Sequence, residues 1–176
     1  MSASLSYPIG QFTESQNITS EIITEWIDNI AELPAQMKAA VEGLSQEQLA
    51  TPYRPDGWTI KQVINHVPDS HISSYMRFHW ALTESNPMIK AYDEKAWAEL
   101  PYHQNMPISV SLDLLTIVHQ RWVYLLKSLS ETDLEKTFVH PENGRTFTLK
   151  WTLGMYAWHG KHHLAHILNL KKRRSW

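Results

Sequence analysis

Between Trp158 and His166 the chain places four of its ten histidines, His159, His162, His163 and His166, inside a segment with helical periodicity. His159 and His163 are four residues apart, about 40° from each other on one helix face and one turn along it. His166 falls on nearly the same bearing, whereas His162 lies about 60° to the other side. Thr152, Met155, Tyr156 and Leu170 share the His159 bearing, with Ile167 at its edge, so this face is also the helix's apolar stripe. Imidazoles on a core-facing stripe are costly to bury unless something binds them. One reading is a helix with a few internally satisfied histidines. The other is a metal site, since two imidazoles at this spacing can share an ion at ligand distances of about 2.0–2.1 Å. Two ligands do not complete a site, so a third has to come from elsewhere in the chain.

The other long segments say what that helix packs against. Ile22, Ile23, Trp26, Ile27, Ile30, Leu33, Met37, Ala40, Val41 and Leu44 recur at steps of three and four, predicting a helix from about Ser20 to Gly43, bent near Pro34. Ser45 to Gln48 has the form of a capping box and predicts one short turn. After a loop at 51–57, Thr59 caps a second long helix running to about Thr83. His66 lies on it within about 60° of Val63 and 40° of Ser70, so it can face inward. Pro68 is expected to disturb the hydrogen-bond ladder there. A third helix is predicted over about Ser109 to Leu129 and the fourth over about Thr148 to Arg173.

The connection from Asn86 to Ile108, with Pro87, Pro101 and Pro107, is too long for an ordinary loop. It can run the length of a helix, so helices two and three are expected to lie parallel, with one helical turn at 93–97. Pro141-Glu142-Asn143-Gly144 predicts a tight turn and a small hairpin between Leu134 and Thr148. The fold class is therefore all-α: a four-helix bundle with a long crossover between helices 2 and 3, the kind of scaffold that builds metal sites from facing helices. Residues 1–176 read as one domain, with 1–17 as a polar N-terminal arm that packs on the surface or on a partner subunit.

Composition narrows the chemistry. The absence of cysteine removes disulfides, thiolate ligands and a cysteine nucleophile, so any metal site uses His, Asp or Glu. A net charge of -2 gives no general affinity for nucleic acid or an anionic membrane. The one basic run, Lys171 to Arg174, complements the carbonyls that end a helix. No segment has the uninterrupted apolar length of a membrane span, and no secretory signal is visible, so a cytoplasmic location is expected. The eight tryptophans are expected in the core first and as pocket walls second, with Trp58 and Trp158 nearest the histidines in sequence. His79, His103, His119 and His140 are scattered and expected at the surface.

A lone histidine early in the second helix and a His-x-x-x-His pair on the fourth resemble the DinB-like superfamily. Within it, Leu5 to Gly10, Thr51-Pro52-Tyr53-Arg54, Gly57-Trp58-Thr59, His66 followed by Asp69-Ser70-His71, Tyr92 to Trp97 and Trp158-His159 resemble the YfiT-like proteins, over nearly the whole chain. The resemblance implies His66, His159 and His163 as ligands of one divalent metal per subunit, zinc or nickel. It further implies a homodimer acting as a metal-dependent hydrolase on a small-molecule substrate. Pro68 and Lys161 depart from the family's pattern.

Three histidines leave coordination positions for water or substrate, and bound water then has a pKa lowered toward about 7. All-nitrogen ligation suits Zn, Ni, Cu or Fe. In His-Glu-x-x-His peptidases the glutamate supplies the base, and Gly160 stands there in this chain, which argues against a peptidase of that type. Asp69 is a candidate base, a ligand-orienting carboxylate or a cap on the Pro68 distortion, and His71 and His162 are weaker proton-transfer candidates. An S-transferase for a low-molecular-weight thiol, of the bacillithiol type, needs no such base because a metal deprotonates the incoming thiol. For that reading Arg54, Arg77 or Lys161 could hold an anionic cosubstrate. A third reading, a metal-binding stress module without turnover, requires a closed ligand set completed by His166 or a carboxylate.

Overall fold

Four long helices carry the structure, a computed structural model that describes residues 5–14, 17–142 and 144–176. They are α1 (Ser20–Val41), α3 (Ile60–Thr83), α6 (Ile108–Ser128) and α8 (Leu149–Arg174), each within two residues of the sequence expectation. Short helices α2 (Gln46–Leu49), α4 (Glu94–Ala98), α5 (Tyr102–Asn105) and α7 (Glu131–Leu134) sit in the connections. Of these α5 and α7 were not anticipated; α7 starts at a capping box of Ser130 and Asp133.

The start of α3 is fixed in the same reciprocal way. Thr59 Oγ1 accepts from the Gln62 N–H at 3.1 Å, and Gln62 Oε1 accepts from the Thr59 N–H at 2.9 Å. Pro34 and Pro68 both lie inside continuous helices. Each leaves the carbonyl four residues earlier without its helical donor.

Direction follows from which residues meet. Ser111 of α6 donates to Asn65 of α3, His119 meets His71, and Trp122 packs on Phe78, so both chains advance together and the two helices are parallel, as the long crossover requires. Along α8, Gly154 faces Trp26 of α1, Gly160 faces Leu33 and Lys171 donates to the Ala40 carbonyl, so α1 and α8 are also parallel. His66 of α3 meets His163 while Ser70 meets Tyr156, so α3 and α8 run oppositely.

The crossover is tied down. Val139 N–H donates to the Pro87 carbonyl at 2.8 Å, and Ile89 N–H to the Val139 carbonyl at 3.1 Å. Val139 belongs to β1 (Thr137–Val139), which pairs antiparallel with β2 (Thr146–Thr148) in the expected small hairpin, Phe138 opposite Phe147. Asn143 of its turn lies outside the described residues, as do residues 1–4, 15 and 16 of the arm. The rest of the arm packs on α8, with Tyr7 against His162 and Phe12 edge-on to Trp151.

The core has two apolar halves. Leu33, Met37, Ile60, Ile64, Leu115 and Ile167 fill one, and Ile30, Phe78, Trp122, Phe138, Leu149 and Leu153 the other. Tryptophan contributes less to it than expected. Trp122 alone is fully buried, five others are half-buried walls, and Trp97 and Trp176 are exposed. The amphipathic indole fits such half-wet positions. Among the described residues no helix is long and apolar enough to cross a membrane.

Candidate metal centre

His66 from α3 and His159 and His163 from α8 converge between the two helices. His159 Nε2 lies 3.4 Å from His66 Nε2 and 3.1 Å from His163 Nε2, and one ligand nitrogen from each ring falls within 4.8 Å of the others. Nitrogens about 2.0–2.1 Å from one ion would be separated by about 2.9–3.4 Å, from a right-angle to a tetrahedral arrangement. Two of the three pairs thus already stand at the separation that a shared ion imposes, and the third lies within 4.8 Å. Pro68, two residues past His66, does not turn that ring away.

Burial determines their protonation. Desolvation lowers the His66 pKa to about 4, and pushes those of His159 and His163 well below the ordinary value, with neighbouring imidazoles adding to the effect. The rings are therefore neutral at pH 7, each with a lone pair for a cation. Trp58 covers one side, its ring 4.6 Å from that of His66.

Gly160 is explained by packing. A Cβ there would come within 2.5 Å of Leu33 Cδ2, so this bearing of α8 is pressed against α1. The position that carries a glutamate base in His-Glu-x-x-His enzymes faces a helix contact here.

The other candidates separate. Asp69 is half-buried, its pKa raised to about 6 by desolvation, and among the described residues its carboxylate makes no hydrogen bond or ion pair. His162 turns away from the three: its Nε2 lies 3.0 Å from His166 Nε2 and its ring stacks on Trp158 at 4.5 Å. His166 stacks on Tyr53 at 3.8 Å and so does not join the triad. Lys161 is exposed and faces Glu25 at 3.6 Å.

Two of the supposed surface histidines are buried. His103 is 4% exposed and His119 only 1%. His119 lies on the α6 stripe of Leu112, Leu115 and Trp122 at helical spacing, the signal that sequence reading passed over. It reaches His71, which is wholly buried, and through it the triad: His119 Nε2 is 2.9 Å from His71 Nδ1, and His71 Nε2 is 3.1 Å from His159 Nδ1.

A cavity of about 240 Å³ opens beside His159, between α3, α8, the crossover and the hairpin. Ser70, Arg77, Tyr92, His140 and Tyr156 line it. Ser70 Oγ and Arg77 Nη1 both point at the Tyr156 hydroxyl, at 3.4 and 3.5 Å. Arg77 has no carboxylate within ion-pair reach among the described residues, and its Nε is buried without a partner. Glu94 and Glu142 stand exposed at the rim.

Comparison with known proteins agrees with this arrangement. A protein of Bacillus mycoides (strain KBAB4) and one of Bacillus cereus (strain B4264), both named provisionally as metal-dependent hydrolases, are each 55% identical over 172 residues, 98% of this chain and of each relative. The solved structure of YfiT from Bacillus subtilis, described provisionally in the same terms and as having an unusual four-helix bundle topology, superposes with a TM-score of 0.95 at 45% identity, over 98% of this chain and 99% of that one. A mycothiol-dependent maleylpyruvate isomerase shares the fold at 18% identity and a TM-score of 0.60, over 80% of this chain and 60% of its own. The sequence profile of the DinB superfamily matches residues 29–167, and with the relatives above it shows that this chain belongs to the DinB superfamily.

Proposed function

We propose that the protein is a metal-dependent hydrolase in which His66, His159 and His163 hold one divalent ion, zinc or nickel, per subunit. The observation that carries the reading is the convergence of three neutral imidazole nitrogens, 3.1 and 3.4 Å from the middle one, beside an open cavity. A bound ion would supply a water acidified toward a pKa of about 7. The chain's own residues do the rest. Trp58 shields one side of the triad, and the cavity admits a small molecule. Arg77 and the Tyr156 hydroxyl present donors to its polar group, and the unpaired guanidinium favours a substrate carrying a carboxylate or a similar anion. Asp69, with a pKa near 6, is the carboxyl suited to exchange a proton near neutrality.

Thiol transfer is the second reading. It is favoured by the lack, among the described residues, of any carboxylate hydrogen-bonded to the triad. A non-catalytic module would close the ligand set with His166, which pairs with His162 instead. The homodimer is part of the proposal too: Val110, Leu114 and Ile117 of α6 are 49, 40 and 58% exposed at steps of four and three, an apolar stripe that a second copy would cover. So is the cytoplasmic location.

Elemental analysis tests the metal: about one ion per chain in the wild type, lost in His163→Ala. Loaded protein is then assayed on ester and amide panels bearing a carboxylate, and with a thiol plus an electrophile. Metal-dependent thiol conjugation without hydrolysis would replace the first reading by the second. Light scattering gives the mass of the assembly.

A further inference from the structure

The three hydrogen bonds that run from His159 into the core end on a main-chain oxygen. His119 Nδ1 lies 2.5 Å from the carbonyl oxygen of Ile30. That oxygen is available because residue 34, whose N–H would hold it inside α1, is a proline. A carbonyl accepts and never donates, so the proton in this contact belongs to His119 Nδ1. Desolvation favours the uncharged form of each ring in the chain, and a neutral imidazole has one N–H and one lone pair. His119 Nε2 therefore accepts from His71 Nδ1–H, and His71 Nε2 accepts from His159 Nδ1–H. The last ring is left with its lone pair on Nε2, the atom that faces His66 and His163. The opposite direction would set a nitrogen lone pair against the carbonyl lone pairs at 2.5 Å.

We propose that His71, His119 and the Ile30 carbonyl form a positioning chain that holds His159 in its Nδ1-protonated form with the Nε2 lone pair aimed into the metal site. Which of the two imidazole nitrogens binds a metal is set by the hydrogen bond the other makes. Here that bond is itself set two residues further on, by a helix proline. The chain orients and does not shuttle protons, because its far end has no proton to pass on. Water is excluded along it: His71 and His119 are 0 and 1% exposed, and Trp122 stands edge-on to both rings. His163 contrasts with this, for its Nδ1 is buried with no partner among the described residues.

The inference rests on the metal reading for its purpose but not for its geometry, and the test separates the two. Nitrogen NMR of metal-free wild type carrying 15N-histidine should show His71, His119 and His159 all protonated at Nδ1 and bare at Nε2. Zinc affinity is then measured by competition with a chromophoric chelator. His119→Leu, which removes donor and acceptor together, should bind zinc about 10–100-fold more weakly and lose the single protonation pattern of His71. His119→Gln, whose amide offers both a donor and an acceptor, should recover most of the affinity. Protonation of His159 at Nε2 in the metal-free wild type would overturn the proposal, as would unchanged affinity in folded His119→Leu. If His119→Leu fails to fold, the wild-type spectra and His119→Gln decide. If the wild type shows the expected pattern yet binds no zinc, the positioning chain stands and the metal reading falls.

Discussion

The same five rings, His66, His71, His119, His159 and His163, make the metal-free protein sensitive to acid. Burial lowers the pKa of His66 and His119 to about 4, and pushes the other three well below the ordinary value of 6.5. Because the folded values lie below the unfolded one, the unfolded chain binds more protons throughout the window between them. Stability is therefore whole above pH 6.5 and falls as the pH drops toward 4. His66 and His119 each remove about 2 kcal/mol between pH 7 and pH 5, about 4 kcal/mol together. The other three rings act in the same direction, as do His162 and His166, lowered to about 4 and about 3. A domain holds about 5–15 kcal/mol in all. Asp69, whose folded value is raised to about 6, acts in the opposite direction and more weakly. Metal-free protein should consequently unfold near pH 5, in one cooperative step that takes up several protons. Tryptophan fluorescence and far-UV circular dichroism against pH measure the midpoint and the steepness. Saturating zinc at about 1,000 times its Kd would add about 4 kcal/mol and move the midpoint down by roughly half a pH unit. Metal-free protein that stays folded at pH 4, or that unfolds with the uptake of a single proton, would refute the reasoning.

Gly160→Ala should cost stability, since its methyl meets Leu33, 2% exposed and closely packed; about 1–3 kcal/mol of overpacking outweighs about 1 kcal/mol gained in helix propensity, a loss that thermal unfolding would show. Arg77→Gln should leave the metal content unchanged and raise KM tenfold or more for an anionic substrate while sparing a neutral analogue; equal effects on both would remove Arg77 from substrate binding. Thr59→Ala should lower stability by about 1 kcal/mol in chemical denaturation through loss of the cap at the start of α3.

The frame was legible because its signals are local. The cap at Thr59, spacing of three and four, and the 23-residue interval rich in proline gave the helices and their parallel crossover. The partnership of His66 with the pair on α8 came from resemblance, for helical spacing says only that each faces inward. His71 and His119 were not read together because the register of α3 against α6 is a tertiary property. Each nevertheless lay on an apolar stripe, His71 with Ile64, Val67 and Phe78, and a buried imidazole on such a stripe requires two hydrogen-bond partners. The cost of burial pointed to a bound ion for the triad, and the same cost applied to His119. The reading of Gly160 as a missing base was sound chemistry, but the structural cause is the close approach of α1.

Pro34 bears on any attempt to engineer this scaffold. A thermostability screen would single it out, since alanine inside a helix is favoured by up to about 3 kcal/mol. Pro34→Ala would also return an amide proton to the Ile30 carbonyl and make it compete with His119 for that oxygen. Hardening the first helix would thus loosen the grip on a cation two helices away, and melting temperature and metal retention would part company in a single substitution.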